Sequence, residues 1–580
     1  MIREQIKKDL EEAVKPTIDN LHLTINKAEV EVSRTGDAKF GDYSSNIALR
    51  LSTIDHRSVI PAKAGIKPKK ILDQVENDKV KKSEKERKSN QSPMEVAKIL
   101  ADSLKGLPYV EKLEVKEPGF LNFFIKDDFW QEQVKEILDA GEKYGSNKSG
   151  AGKKARVEFV SANPTGPLHF GNARGGPIGD VLANVLAFSG WEVLREYLDN
   201  DRGNQVLELG KTLAAKAGLI EAKEEDLTYK GEYTKELAEQ VREDLDISNL
   251  SEGEIIRKAG EIGVRISFSE IIHDCAEMGI KFDLIVHESD LQKKAPEILA
   301  RLERDGLLKR KDKAVFFAPK SQFLEDREAV VVKNDGDYTY FTADVVYHSE
   351  KFESGFDLVI DVLGSNTFGH VPKLKALAET FGFDLSKFAV ILYQFVRLKS
   401  GNEIVKMSKR AGNFVTAREV LEEVGPDALR FFILMYDPNS HIDFDLDLAR
   451  EKSSKNPVYY VQYANARINS ILAKFQISNF KFQISKANYE LLTADYELNL
   501  IKDMTRLPEL VEDISGNFAV HRLTAYAAEL ADAFHKFYEN CPVISDDENL
   551  TAARLGLISA AKIVFENTFA LLGISAPEKM

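Results

Sequence analysis

The chain has 580 residues, 43% of them hydrophobic and 30% charged, with a formal net charge of −14. It is too long for one core and is expected to divide into about three or four domains, and the wide separation of its two cysteines, Cys275 and Cys541, excludes a disulfide framework or a thiolate zinc set and leaves buried structural thiols. No apolar run reaches the roughly 20 residues of a membrane span, and Met1 to Leu10 is charged and amphipathic rather than a leader, so a cytoplasmic protein with no membrane partner is expected, while the acidic balance leaves any RNA partner to local basic patches.

Ile2, Ile6, Leu10 and Val14 recur at helical spacing, Met94 to Leu104 repeats the pattern, and Val110 to Ile125 alternates like paired strands about Pro118-Gly119. Residues 1–140 are therefore predicted to form a small α+β accessory domain. Within it, 55–91 is dense in Lys, Glu and Ser and nearly without aromatics, the composition of a disordered or loosely ordered insertion. Four glycines and several lysines mark 141–154 as a linker.

Val157 to Val160 reads as a strand, followed by a loop stiffened by Pro164 and Pro167 and a helical pattern running to Phe188. Val193 to Tyr197 reads as a second strand, ending in the polar cluster Asp199 to Gln205, which at the carboxyl end of a parallel strand belongs near a ligand crevice. Residues from about 206 to 280 are charged and helical, as an insertion would be. Ile280 to His287, Ala314 to Ala318, Ala329 to Lys333, Phe356 to Leu363 and Val390 to Leu398 supply further strands. This order predicts an α/β fold, a Rossmann-like doubly wound parallel sheet over 155–450. Over 451–580 the pattern becomes long helices, at Tyr459 to Leu472, Asn517 to Tyr538 and Leu550 to Leu572, which predict an all-α bundle. Lys474 to Ser478 recurs once as Lys481 to Ser485, a local insertion within 474–495 rather than a repeat architecture.

The strand, loop and helix around Ser161 to Gly176 is where such a sheet normally holds a nucleotide phosphate, because free N–H groups and the positive end of the helix dipole point at it. His169 can donate a hydrogen bond to charge developing on a phosphate. Gly171, lacking a Cβ, lets a flat base lie against the helix, and Asn172 adds a neutral amide donor. Taken alone, the same residues are better read as a helix-start histidine, a packing glycine and a first-turn asparagine. Far downstream, Lys406-Met407-Ser408-Lys409 offers two flexible ammonium groups suited to a triphosphate and to the pyrophosphate that leaves it, although a basic run alone is usually a solvated face.

Together the two stretches resemble the paired HIGH and KMSKS signatures of class I aminoacyl-tRNA synthetases. Phe40-Gly41-Asp42-Tyr43-Ser44-Ser45-Asn46, Gly425-Pro426-Asp427-Ala428-Leu429-Arg430, Asn456-Pro457-Val458-Tyr459-Tyr460 and the closing Leu571-Leu572-Gly573 narrow the resemblance to the arginyl-tRNA synthetase family. Two positions depart from the signatures: Asn172 stands at the second histidine and Arg410 at the last serine.

The resemblance implies an ATP-dependent arginine–tRNA ligase using ATP with Mg²⁺, no zinc and no redox cofactor, with L-arginine and tRNA(Arg) as partners and a monomeric chain. It places His169, Gly171 and Asn172 on the nucleotide from the helix side, and Lys406, Met407, Ser408 and Lys409 on its phosphates. His169, Asn172, Lys406 and Lys409 are the implied catalytic set. Glu158, Ser161 and Asn163 match the residues for the α-amino and carboxylate end of arginine, Tyr340 and Asp344 the guanidinium site, and Asn366 a polar residue near the side chain. A carboxylate suits a planar guanidinium because it meets it through two parallel hydrogen bonds. For 451–580 the resemblance implies anticodon binding through Tyr459, Tyr463, Asn465 and Arg467, with tyrosines of the bundle core as the competing account. For 1–140 it implies contact with the tRNA elbow, against a solvated accessory domain. A small-metabolite nucleotidyltransferase has no use for the two flanking domains, and an inactive RNA-binding descendant is expected to have lost His169, the lysines or Asp344.

Overall fold

The computed structural model describes residues 1–20, 29–53, 92–324, 328–401, 403–405, 414–475 and 487–580. The proposed insertion 55–91, the lysine motif 406–409 and most of the 474–485 duplication lie outside the described residues. The chain separates into two compact units, Met1–Gln133 and Val134–Met580.

In the first unit, α1 (Ile2–Asn20) buries Ile2, Ile6, Leu10 and Val14, the apolar series visible in the sequence. An antiparallel sheet of β1 (Ser33–Arg34), β2 (Tyr43–Ser45), β3 (Val110–Lys116) and β4 (Phe120–Ile125) runs in the order β1-β2-β4-β3. Two helices, α2 (Ile47–Thr53) and α3 (Pro93–Ser103), accompany it, and a capping box between Ser92 and Glu95 starts α3. Leu121, Phe123 and Ile125 alternate into the core, as the period of two requires. Helix α4 (Asp127–Ala140) follows the last strand.

The second unit is built on five parallel strands: β5 (Lys154–Glu158), β6 (Glu192–Asp199), β7 (Leu284–His287) and, further along the chain, β11 (Leu358–Gly364) and β12 (Phe388–Tyr393), in the order β12-β11-β5-β6-β7. Strand order therefore reverses between β5 and β11, and the crevice beyond their carboxyl ends is the place for a ligand in such a sheet. After β5 come the four-residue α5 (Phe170–Ala173) and α6 (Gly175–Phe188), where the sequence suggested one continuous helix. A Cβ at Gly179 would stand 2.2 Å from the Phe159 ring, so only glycine lets α6 lie this close to the chain leaving β5.

The expected insertion is α7 (Asn204–Lys216), α8 (Tyr233–Asp244) and α9 (Glu252–Glu277), packed around Leu209, Leu213, Leu237 and Val241. Helix α10 (Glu288–Arg304) then leads away from β7. The Ala314 and Ala329 strands do not join the parallel sheet. With β8 (Leu308–Lys311), β9 (Ala314–Phe317) and β10 (Ala329–Val332) form a separate antiparallel sheet, because Asp312 and Lys313 both take positive φ (47° and 73°) and fold β8 and β9 into a tight hairpin. Helix α11 (Tyr340–Glu353) returns to β11, and α12 (Val371–Thr380) joins β11 to β12. The run Val390 to Leu398 is likewise two strands, β12 and β13 (Val396–Ser400). The latter pairs with β14 (Glu403–Val405) and β15 (Ile442–Asp445) in a third small sheet.

Helix α13 (Ala417–Leu434) kinks at Gly425 (φ 78°), just before Pro426, and α14 (Leu446–Arg450) leads to α15 (Pro457–Phe475). Helices Asp495–Met504, Leu507–Asn517, Arg522–Asn540 and Glu548–Leu572 complete the bundle. The expected helix from Asn517 to Tyr538 is broken at Phe518, whose left-handed φ of 61° reverses the chain. Glu548–Leu572 is long and apolar enough to cross a membrane, contrary to the sequence expectation, yet 72% of its most apolar window is buried in the bundle. Both thiols, Cys275 and Cys541, are buried and unbridged.

Candidate active site

Beyond the carboxyl ends of β5 and β11 lies a cavity of about 440 Å³ lined by Glu158, Ser161, Asn163, Asn172, Tyr340, Asp344 and Asn366 among others. All six residues expected at an arginine site and one from the helix signature therefore meet in one place, although they span more than two hundred positions of sequence.

Strand β5 ends at Glu158, not at Val160. The next residues turn sharply, with Val160 at φ 68° and Ser161 at φ 37°, values a β-branched residue rarely adopts and which concentrate strain at the cavity wall. The turn aims the Ser161 hydroxyl at Glu158 Oε1, 2.9 Å away, while Oγ also accepts from the Leu198 amide on β6. Asn163 is held by Asn200, which donates to its Oδ1, and donates in turn to Gln205 Oε1. Asn200, Arg202 and Gln205 also line the cavity, so part of the cluster after β6 does face the crevice. Asp199 and Asp201, with His287, form a group of possible metal ligands, but Asp199 bonds His287 Nδ1 and Asp201 accepts from the Ser289 amide, contacts that tie the ends of β6 and β7 together.

Helix α11 forms the opposite wall. Tyr340 and Asp344 stand one turn apart on it. The Tyr340 ring is 52% exposed and lies against Gly203, whose φ of 89° and lack of a Cβ make room for it. Asn366 folds its side chain over Gly364 at the end of β11. Sequence reasoning missed Glu288, the first residue of α10, buried in the same wall. Burial, then the neighbouring Asp201 and Asp344, push its carboxyl up to about 7, and its Oε2 has no hydrogen-bond partner among the described residues. The strand assigned through His287 was the signal, since the next residue sits at the carboxyl end of a parallel strand. Glu158, Glu288, Asp344 and Asp361 give this cavity an acidic lining against Arg202 and His370, a composition suited to a cation.

His169 does not line the cavity. It caps α5, and its Nδ1 accepts from the Gly171 amide at 2.8 Å, which leaves the proton of the neutral ring on Nε2 as a donor. A Cβ at Gly171 would sit 3.1 Å from the His169 ring, a tight contact that would press on the ring. The chain just past the lysine motif is laced to this turn. Phe170 donates to the Val415 carbonyl, Ala417 donates to the Leu168 carbonyl, His169 and Thr416 form an antiparallel bridge, and Phe414 stacks on the His169 ring. Lys406, Met407, Ser408 and Lys409 themselves are outside the described residues.

On α15, Tyr459 and Tyr463 stack with ring centroids 6.4 Å apart, and the Arg467 guanidinium lies 5.9 Å from the Tyr463 ring. Tyr463 is 37% exposed. Asn465 departs from the sequence expectation: it is wholly buried and donates to the Pro577 carbonyl, so it anchors the end of the chain inside the bundle.

Three family models match the chain: arginyl tRNA synthetase N terminal domain over residues 1–125, tRNA synthetases class I (R), catalytic domain, over 133–475, and DALR anticodon binding domain over 461–580. An arginine–tRNA ligase of Carboxydothermus hydrogenoformans is 40% identical over 85% of this chain and 90% of its own length. One from Staphylococcus carnosus is 35% identical over the whole of both. Among solved structures, Thermus thermophilus arginyl-tRNA synthetase superposes with a TM-score of 0.76 at 21% identity, covering 100% of both chains, which shows a shared fold. With a catalytic-domain model covering more than half of its length and such relatives aligned across most of it, the chain belongs to the arginyl-tRNA synthetase family.

Proposed function

We infer that the chain is an ATP-dependent arginine–tRNA ligase. The arginine carboxylate attacks the α-phosphorus of ATP and pyrophosphate leaves. A ribose hydroxyl at the 3′ end of tRNA(Arg) then attacks the carbonyl carbon of arginyl-adenylate and AMP leaves. Neither step needs a protein nucleophile, so the residues work by positioning and by meeting charge on the phosphates.

The observation that carries the reading is the acidic cavity at the strand-order reversal, opening beside the His169 turn to which residues 414–417 are laced. Arginine fits it with its guanidinium toward Asp344 and Glu288 beside the Tyr340 ring, and its α-ammonium toward Glu158 Oε1, with Ser161 and Asn163 at the same end. Asn366 stands near the side chain. A charged guanidinium meets two carboxylates, one of them with an oxygen unpartnered among the described residues, which favours arginine over a neutral amino acid.

On the nucleotide side, His169 Nε2 and Asn172 supply donors, Gly171 leaves room for the base, and Lys406 and Lys409, with Met407 and Ser408, follow the β- and γ-phosphates. ATP is taken as its Mg²⁺ complex, the metal travelling with the phosphates. Residues 155–450 do the chemistry, 451–580 read the anticodon through the face of Tyr459, Tyr463 and Arg467, and 1–140 meet the tRNA elbow. A monomer acting in the cytoplasm completes the proposal.

The test is charging of total tRNA with each of the twenty amino acids, with arginine-dependent pyrophosphate exchange measured alongside. Ester formation with arginine alone is expected. tRNA binding without charging by any amino acid overturns the reading in favour of an inactive RNA-binding descendant.

A further inference from the structure

Three adjacent parallel strands carry an acidic residue at one register. Asp361 on β11 lies opposite Glu158 on β5, and Glu158 lies opposite Glu196 on β6. Neighbouring strands stand roughly 4.8 Å apart, so three like charges in one row oppose the pairing of the sheet unless they are compensated. Arg156, two residues before Glu158 and on the same face, takes Glu196 through Nε and Nη2. Lys351 of α11 takes the rest. Its ammonium is wholly buried, in contact with Glu158 Oε2, 2.7 Å from Asp361 Oδ1 and 3.6 Å from Glu196 Oε2.

The two oxygens of Glu158 are thereby given different tasks. Oε2 receives Lys351 and the Tyr347 hydroxyl, the latter at 2.9 Å, both from α11. Among the described residues Oε1 receives only the Ser161 hydroxyl, and Glu158 and Ser161 both line the cavity. Burial pushes the Glu158 carboxyl up, as do Asp361 and Glu196 beside it, while Lys351 is the neighbouring cation that opposes them.

We propose that Lys351 is a positioning residue for amino-acid recognition: from beneath the cavity it fixes Oε2 of Glu158, so that Oε1 is presented, as part of an ionised carboxylate, to the α-ammonium group of the substrate. Without the lysine, the row of three carboxylates is left with Arg156 alone among the cations in contact with Glu158 or Glu196, and Glu158 takes up a proton. A neutral acid offers an ammonium far less than a carboxylate does. The proposal rests on the reading that Glu158 takes the α-ammonium of arginine, and the test separates the two.

The full-length protein, with tRNA and ATP present, is assayed for its arginine KM and for inhibition by guanidinovalerate, which is arginine without the α-amino group. In Lys351→Met the arginine KM is expected to rise about tenfold or more, while the guanidinovalerate inhibition constant and the ATP KM stay within about twofold. Lys351→Arg, which keeps the charge, restores most of the arginine affinity. Equal weakening of arginine and guanidinovalerate, or no change in either, overturns the proposal. Glu158→Gln is the control for the underlying reading. If it leaves the preference for arginine over guanidinovalerate intact, Glu158 does not bind the α-ammonium; if it abolishes that preference while Lys351→Met does not, only the role of Lys351 falls. Should Lys351→Met fail to fold, Tyr347→Phe removes just the other donor to Oε2. It is then expected to lower the same preference about two- to threefold, and an unchanged preference in that variant counts against the proposal.

Discussion

Phe414 lies flat on His169, ring centroids 5.4 Å apart and planes within 17° of each other. The stack joins Phe414 to the His169 turn almost 250 positions earlier in the chain. Stacked aromatic pairs contribute about 0.5–1.5 kcal/mol beyond their burial. Phe414→Ala is therefore expected to slow arginine-dependent pyrophosphate exchange about three- to tenfold at saturating substrates, with the arginine KM unchanged. A rise in arginine KM with no change in rate would place Phe414 at the amino-acid cavity instead.

Asp344→Ala removes a carboxylate from the proposed guanidinium end of the cavity and leaves the His169 turn untouched. Losing one partner of a buried charged hydrogen bond costs about 3 kcal/mol. The expected result is a loss of kcat/KM for arginine on the order of a hundredfold, with ATP affinity retained. Equal loss of ATP binding, measured by equilibrium dialysis, means that the residue has been assigned to the wrong end of the site.

Glu288 sets an acid limit. Its carboxyl is pushed up to about 7 by burial and by Asp201 and Asp344, so in the free protein it is ionised above that pH and neutral below it. Arginine needs the ionised form and binding releases a proton, so kcat/KM for arginine falls as pH drops through about 7, while the rate at saturating arginine holds to lower pH. Glu288→Gln abolishes that limb and leaves low affinity at every pH. A limb that persists unchanged in the variant belongs to another group.

Much of this architecture was legible because it obeys local rules. Apolar runs at 157 and 193 are parallel strands, Ile2 to Val14 is an amphipathic helix, and Tyr340 and Asp344 share a helix face because they are four apart. What was not legible depends on pairing across the fold. The sequence of β9 and β10 is as apolar as that of the parallel strands, and only the hairpin at Asp312-Lys313, lacking the usual glycine, separates them. Glu288 and Lys351 look like charges on surface helices until the sheet places the first in the cavity wall and the second beneath it, against Glu158. Asn465 shows the converse: a polar residue between an exposed tyrosine and an arginine, turned inward by the helical period.

Arg430 ties three parts of the second unit to one buried point. Its guanidinium donates to Asp180 Oδ2 on α6, to the Met278 carbonyl after α9 and to the Leu572 carbonyl at the end of the last helix, with no exposure to solvent. Removing the cation strands two carbonyls and leaves Asp180 with Arg195, 3.6 Å from its Oδ1, as its neighbouring cation. Arg430→Met is expected to lower the unfolding free energy by about 3–5 kcal/mol, and Asp180→Leu added to it restores part of the loss because the buried carboxylate is gone, while the partly exposed Arg195 keeps its bond to Asn184. Denaturant unfolding of both variants checks this, and a loss below about 1 kcal/mol sinks it.

The exposed face of α15 gives the last test, since it sets the two accounts of its aromatics against each other. Tyr463 is partly exposed, with the Tyr459 and His535 rings 6.4 and 5.9 Å from its own and the Arg467 guanidinium 5.9 Å away, and an exposed tyrosine beside an arginine is a place where an unstacked base can lie. A tyrosine serving only the bundle core costs stability when truncated, whereas one that stacks on a base costs affinity for RNA. Tyr463→Ala is expected to raise the KM for tRNA by roughly 1–3 kcal/mol equivalent, about five- to a hundredfold, and to leave exchange kinetics for arginine and ATP alone. Asn465→Ala should do the opposite, lowering the unfolding midpoint while leaving the KM for tRNA close to its starting value, because its amide meets the Pro577 carbonyl inside the bundle. Should Tyr463→Ala change only the unfolding midpoint, the tyrosines belong to the core and the anticodon face lies elsewhere on the helices.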